Sequence, residues 1–202
     1  MGCAGGQGDH DDCRWRLLGG TEASSLVEFA VCLPLLVVLV VGIFDFGGAF
    51  NLKQELNNAT REGARFGAAQ PTNDLLNAGT PPSVDAIRYL VDSYLLAAQI
   101  NDCGLGSMAG ASSGSYPTWT YTPAGCGGNM TLTIQRGCLA PPSSPSCPQD
   151  PLTTPATNIL VSKVAIQYPY QWHFNNVIQL VSPGASYALS NISTNATAVN
   201  MD

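Results

Sequence analysis

Between Glu28 and Asp45 the chain runs for 16 residues, FAVCLPLLVVLVVGIF, without a charge. Counting from Leu26, the stretch reaches 19 positions, inside the roughly 17–25 that cross a bilayer as a helix. Glu28 stands within its front edge. A carboxylate held in hydrocarbon costs at least a few kcal/mol, so a Glu kept at that place implies a task for it. Pro34 falls inside the run. A soluble helix would lose about 3 kcal/mol there, whereas a membrane helix accommodates proline with a kink.

The helical pattern continues past the apolar run. Leu52, Leu56, Ala59, Gly63 and Phe66 recur at alternating steps of four and three, which makes one apolar face at helical period. Lys53, Glu55, Arg61, Glu62 and Arg65 lie mostly off it. A single helix from Ser24 to Ala68 would have 45 residues and span roughly 68 Å. The Gly63-x-x-x-Gly67 spacing lets another backbone approach, here most simply that of its own domain. Residues 1–23 are polar and Gly-rich, with Arg14 and Arg16 near the apolar run, and read as a short cytoplasmic leader.

After the breakers Pro71, Asn73, Pro81 and Pro82, a second helix is expected over about Val84–Ile100. Ser83 is its expected N-cap, and Val84, Ile87, Val91, Tyr94, Leu95 and Ala98 share one face. Asp85 and Asp92 are expected to solvate its outer face. Gly104–Gly114 reads as loop. Tyr116–Tyr121, Met130–Arg136 and Asn158–Tyr168 alternate as strands, and Tyr187–Ile192 with Ala196–Met201 form a last strand or hairpin. Helix, helix, then antiparallel sheet makes the class α+β.

Composition narrows the function. A net charge of -6, with only eight Lys and Arg scattered along 202 residues, excludes a nucleic-acid partner that needs a basic patch. Cys103, Cys126, Cys138 and Cys147 lie together in Gly/Pro/Ser-rich sequence after the apolar run, as disulfides of an oxidising compartment do. Four cysteines allow three pairings. Sequence neighbours close the cheapest loops, so Cys103–Cys126 and Cys138–Cys147 are the expected pairs. A zinc site lacks a CxxC pair and has only His10 and His173 to draw on. No GxSxG, HExxH, phosphate loop or dinucleotide fingerprint occurs, and His173 reads as structural within QWHF. The sequence therefore gives no enzyme and no cofactor. The aromatics of YPYQWHF, 168–174, form either a contact surface or a sheet-to-helix core.

Several motifs coincide along the first helix. Glu28-Phe29 opens the apolar run and Pro34 interrupts it. Gly42-Ile43-Phe44-Asp45-Phe46-Gly47 follows, then Asn58-Ala59-Thr60-Arg61-Glu62-Gly63-Ala64-Arg65. Together they resemble the TadE-like family of minor pilins, or pseudopilins, of tight-adherence (Flp, type IVb) pilus systems. The ending Thr197–Asp202 resembles the family's last strand. About 50 residues carry the likeness, and the cysteine-bearing middle lies outside it.

The resemblance implies a pilin-like fold with an N-terminal transmembrane and amphipathic helix, a second helix and a small antiparallel sheet. It implies a non-enzymatic role in assembling a tight-adherence type IV pilus. The expected partners are other pilins, the tight-adherence secretion machinery, the membrane and a prepilin peptidase. The peptidase would cut between Ala23 and Ser24, which makes Glu28 the fifth residue; the family usually has Gly where this chain has Ala23. Glu28 would then pair with the freed amine of an adjacent subunit, and Pro34 would shape the helix for assembly. The expected organisation is a leader, 1–23; a helix, 24–68, crossing the bacterial inner membrane at about 26–45; and an extracytoplasmic disulfide-bearing domain, 69–202. Arg14 and Arg16 do not outnumber Lys53, Arg61 and Arg65, so the positive-inside count does not settle orientation. The other reading is an anchored extracytoplasmic binding or adhesion module with no filament role.

Overall fold

The computed structural model describes residues 21–126, 129–139, 159–172, 184 and 190–200. Helix α1 runs Thr21–Ala68 and helix α2 runs Pro82–Ala97. A short 3-10 turn covers Leu105–Ser107. The strands are β1 (Ser113–Ser115), β2 (Thr118–Tyr121), β3 (Thr131–Leu139), β4 (Ile159–Tyr170) and β5 (Ser190–Val199). They pair in chain order as one antiparallel meander. The class is α+β, as the pattern of the sequence indicates.

The register explains why one face of the sheet is a core. Trp119, Ile134, Val164 and Ala196 stand side by side across β2 to β5. Tyr121, Leu132, Ile166 and Thr194 form the next row, and Arg136, Ser162 and Ala198 another. Directly paired residues share a face, and this face is buried against Leu56, Ala59 and Ala64 of α1 and Val84, Ile87, Val91 and Leu95 of α2.

Two glycines set how closely the layers meet. A Cβ on Gly63 would lie 3.0 Å from Val91 Cγ2 and 3.5 Å from Val164 Cγ2. One on Gly67 would lie 2.8 Å from Ile87 Cδ1 and 3.0 Å from Ser162 Cβ. Each glycine thus touches both α2 and β4. Positions 63 and 67 advance on α1 while 91 and 87 retreat on α2, so the helices are antiparallel. The GxxxG spacing serves packing within the domain.

Some details differ from expectation. Helix α2 starts at Pro82 with Pro81 as N-cap and no side-chain cap. Ser83 sits inside the first turn instead. Its N–H donates to Asp74 Oδ2 at 2.8 Å and its hydroxyl to Asp74 Oδ1 at 2.9 Å. Proline at the first turn leaves no N–H there to satisfy, which removes the need for a serine cap. The expected loop 104–114 contains the 3-10 turn and the start of β1. The C-terminal segment forms one strand, β5, in unbroken register with β4 from Val199 to Ser190.

Candidate functional site

The apolar run of α1, ahead of Asp45, stands apart from the core. Leu26, Val27, Phe29, Val31, Leu35, Ile43, Phe44, Phe46 and Phe50 are all exposed. None of the apolar window is buried by the protein's own atoms. A monomer in water does not present an apolar surface of this extent. Glu28 is exposed among these side chains. From Glu28 to Asp45 the helix rises about 26 Å, close to the roughly 30 Å of a hydrocarbon core. Pro34 lies within the helix and offers no N–H to the Ala30 carbonyl. Ala23 and Ser24 belong to the first turn of α1.

The end of the apolar run is gripped by the head domain. Asp45 is 4% exposed. The Tyr170 hydroxyl donates to its carbonyl at 3.1 Å and to Oδ1 at 3.2 Å. The same oxygen lies 3.1 Å from where a Cβ on Gly48 would be, so a small residue there makes room for the hydroxyl. Trp172 meets Phe46 edge-on at 5.3 Å and Tyr170 at 5.0 Å between ring centroids. Its indole N–H donates to Ser190 Oγ at 2.6 Å. Of the two readings of the aromatic run, packing of sheet on helix is the one observed for Tyr170 and Trp172. His173 and Phe174 lie outside the described residues.

At its other end α1 is closed by Arg136, fully buried on β3. Nη2 donates to the carbonyls of Gly67 at 2.9 Å and Gln70 at 2.8 Å. Nη1 donates to the Pro71 carbonyl at 3.2 Å and to the Ser83 hydroxyl, and Nε to Ser162 Oγ at 3.2 Å. The last carbonyls of a helix have no partner within it, and a cation there also complements the helix dipole. The sequence places Arg136 at the end of the alternating stretch Met130–Arg136 and assigns it no role. Its signal was the alternation itself, since Leu132, Ile134 and Arg136 share the inward face.

Helix α2 carries a second charged cluster, and it is not the solvated face expected of Asp85 and Asp92. Asp92 is buried. Asp85 accepts from Arg88 Nε at 2.8 Å and from the Tyr121 hydroxyl at 3.1 Å. The fully buried Arg88 reaches on to the carbonyls of Leu105 and Gly106. Burial, together with a hydrogen bond and repulsion from Asp102, holds the Asp92 carboxyl above its ordinary range. Burial also disfavours the charge on Asp102. Backbone N–H groups of Gly106 and Gly104 and the bond from Asp92 outweigh it, so Asp102 sits below its ordinary range. The interaction between the two carboxyls favours the neutral form of Asp92 and the charged form of Asp102. These groups fasten the 102–107 turn to α2. Among the described residues, no three His, Cys, Asp or Glu side chains converge as a metal site.

Cys103 and Cys126 form a disulfide with Cα atoms 4.9 Å apart. Cys138 lies on β3, and its expected bond to Cys147 falls outside the described residues.

A single helix, apolar and long enough to cross a membrane, thus continues without interruption into an α+β head that grips it at Asp45 and at its last turn. Residues 23–65 match the family model described as TadE-like protein, which is the likeness carried by the Glu-Phe, Pro and Gly-Ala-Arg motifs. No curated protein and no solved structure gave a match.

Proposed function

We propose that this chain is a membrane-anchored TadE-like minor pilin that acts, without catalysis, in assembling a tight-adherence type IV pilus. The observation that carries the reading is an exposed apolar helix with Glu28 near its start, in the segment that matches the TadE-like model. In this reading α1 holds the protein in the bacterial inner membrane and the head lies outside the cytoplasm. The Cys103–Cys126 disulfide fits an oxidising compartment of that kind.

A prepilin peptidase would cut between Ala23 and Ser24. The new amine would carry a positive charge close to Glu28 of a neighbouring subunit. Neither charge is stable alone in hydrocarbon, and pairing them favours the subunit's move from lipid into a filament. Other pilins and the tight-adherence machinery are the partners this requires.

Two observations favour the second reading, an anchored binding module outside any filament. One is Ala23 in place of the family's usual Gly. The other is an open groove of about 450 Å³ lined by Leu52, Ile100, Cys126, Tyr168 and Tyr170. N-terminal sequencing of the protein produced with a prepilin peptidase separates the two. A start at Ser24 supports the pilin. An intact leader, or a cut elsewhere, supports the binding module.

A further inference from the structure

Strand β4 lies along α1 and runs opposite to it. Ser162 is beside Gly67, Val164 beside Gly63, and Tyr170 beside Gly48 and Asp45. Eight residues of strand cover about 26 Å, and the 20 or so residues of helix between those fixed points cover about 30 Å. The strand therefore descends the helix and ends level with Asp45 and Phe46. Asp45 is the first charge after the apolar run. With α1 across a bilayer, as the proposed function has it, this level is the headgroup layer.

The side chains gathered there are of one kind. Phe44, Phe46 and Phe50 are 76%, 70% and 64% exposed. At about 100° per residue, Phe46 and Phe50 share one side of α1 and Phe44 faces the opposite side, so the three ring the helix. Tyr170 at the end of β4 and Trp172 just past it add two amphipathic rings. Lys53, exposed two turns beyond Asp45, marks where water begins. Tyr and Trp favour this boundary because a flat apolar body meets the acyl chains while the polar edge keeps its partners.

We propose that the end of β4 is a membrane-seating surface. Tyr170 and Trp172, with Phe44, Phe46 and Phe50, lie in the boundary between headgroups and acyl chains of a phospholipid bilayer and hold the head domain down on it. The occupant is lipid because the surface is continuous with the span and fixed to it by the Tyr170–Asp45 bonds. The head is then a second membrane contact with a set stance, not a domain swinging on a tether. The inference rests on the reading of α1 as a span.

The full chain, reconstituted in phosphatidylcholine vesicles, tests this through tryptophan quenching. One set of vesicles carries bromine on the acyl chains near the carbonyls, and another carries it near the chain ends. The Trp172 signal is the difference between wild type and Trp172→Phe. A chain with Trp15→Phe and Trp119→Phe, in which Trp172 alone emits, reads it a second way. The expected result is loss of most Trp172 emission with shallow bromine and little loss with deep bromine. Protein that floats with the vesicles while Trp172 is unquenched by either lipid, or quenched more by deep bromine, overturns the seating and leaves the span standing. Protein that fails to float overturns both.

Discussion

The Arg136 guanidinium on β3 donates to the Gly67 carbonyl of α1 across 2.9 Å, and this bond joins the sheet to the last turn of the long helix. Gln70 and Pro71 are held by the same group. Arg136→Met keeps most of the volume but leaves these carbonyls, the buried one of Gly67 among them, without their donor. An orphaned polar group costs about 1–3 kcal/mol. Urea unfolding in detergent is expected to show a loss of at least that size. Arg136→Lys recovers only part of it, since one ammonium cannot reproduce the fork.

Gly67→Ala and Gly63→Ala test the packing of α1 between α2 and β4. In an exposed helix, alanine for glycine gains roughly 1 kcal/mol. Here the added methyl meets Ile87 and Ser162, or Val91, and overpacking costs about 1–3 kcal/mol. Both variants are therefore expected to lower the thermal midpoint. Gly67→Ala should lower it more, because its contacts with both α2 and β4 are closer. A rise in either midpoint would contradict the geometry.

The parts legible in the sequence were those that periodicity reports. The stripe through Leu56, Ala59 and Gly63 gave the face of α1 that the head covers, and the alternation in 158–168 gave β4. Asp92, expected on the solvated face, and Arg136, given no role, escaped the sequence for one reason. Each is a charged residue on a buried face, and hydropathy patterns place charges outside. What satisfies them is backbone without a period of its own, the end of α1 for Arg136 and the 102–106 turn for Asp92. Period two did extend through Tyr168, Tyr170 and Trp172, yet Tyr170's partner, Asp45, lies 125 residues away in the chain. The head domain lies mostly beyond the matched residues, 23–65, so the family likeness gave no guide to it.

Joining Cys103 to Cys126 closes a loop with a sequence separation of 23. A closed loop of that length stabilises the fold by about 3 kcal/mol through the entropy of the unfolded chain. Cys103→Ser with Cys126→Ser should remove about that much. Reductant should do the same to the wild type and nothing further to the double variant at this bond. Denaturant titrations with and without reductant read both.

The carboxyl pair gives a pH dependence with a definite sign. Asp92 keeps its proton in the native state at pH values where the unfolded chain has released it. Its contribution is full below the unfolded pKa and is lost as pH rises through the raised native value. Asp102, held low, contributes above its unfolded pKa and loses that as pH falls through the native one. Asparagine imitates the protonated Asp92. Relative to Asp92→Asn, the wild type should therefore lose thermal stability as pH rises above the ordinary carboxyl range. A difference that does not change as pH rises would contradict a raised Asp92 carboxyl.

Glu28 is the residue on which the pilin reading turns, and piliation of cells carrying Glu28→Ala tests it most directly. The substitution removes the charge from an exposed position in an apolar helix, so membrane insertion should be unchanged or improved. The account predicts a protein that fractionates with the inner membrane at normal abundance, together with loss of surface pili. Normal pili in cells that contain only the Glu28→Ala chain would contradict it.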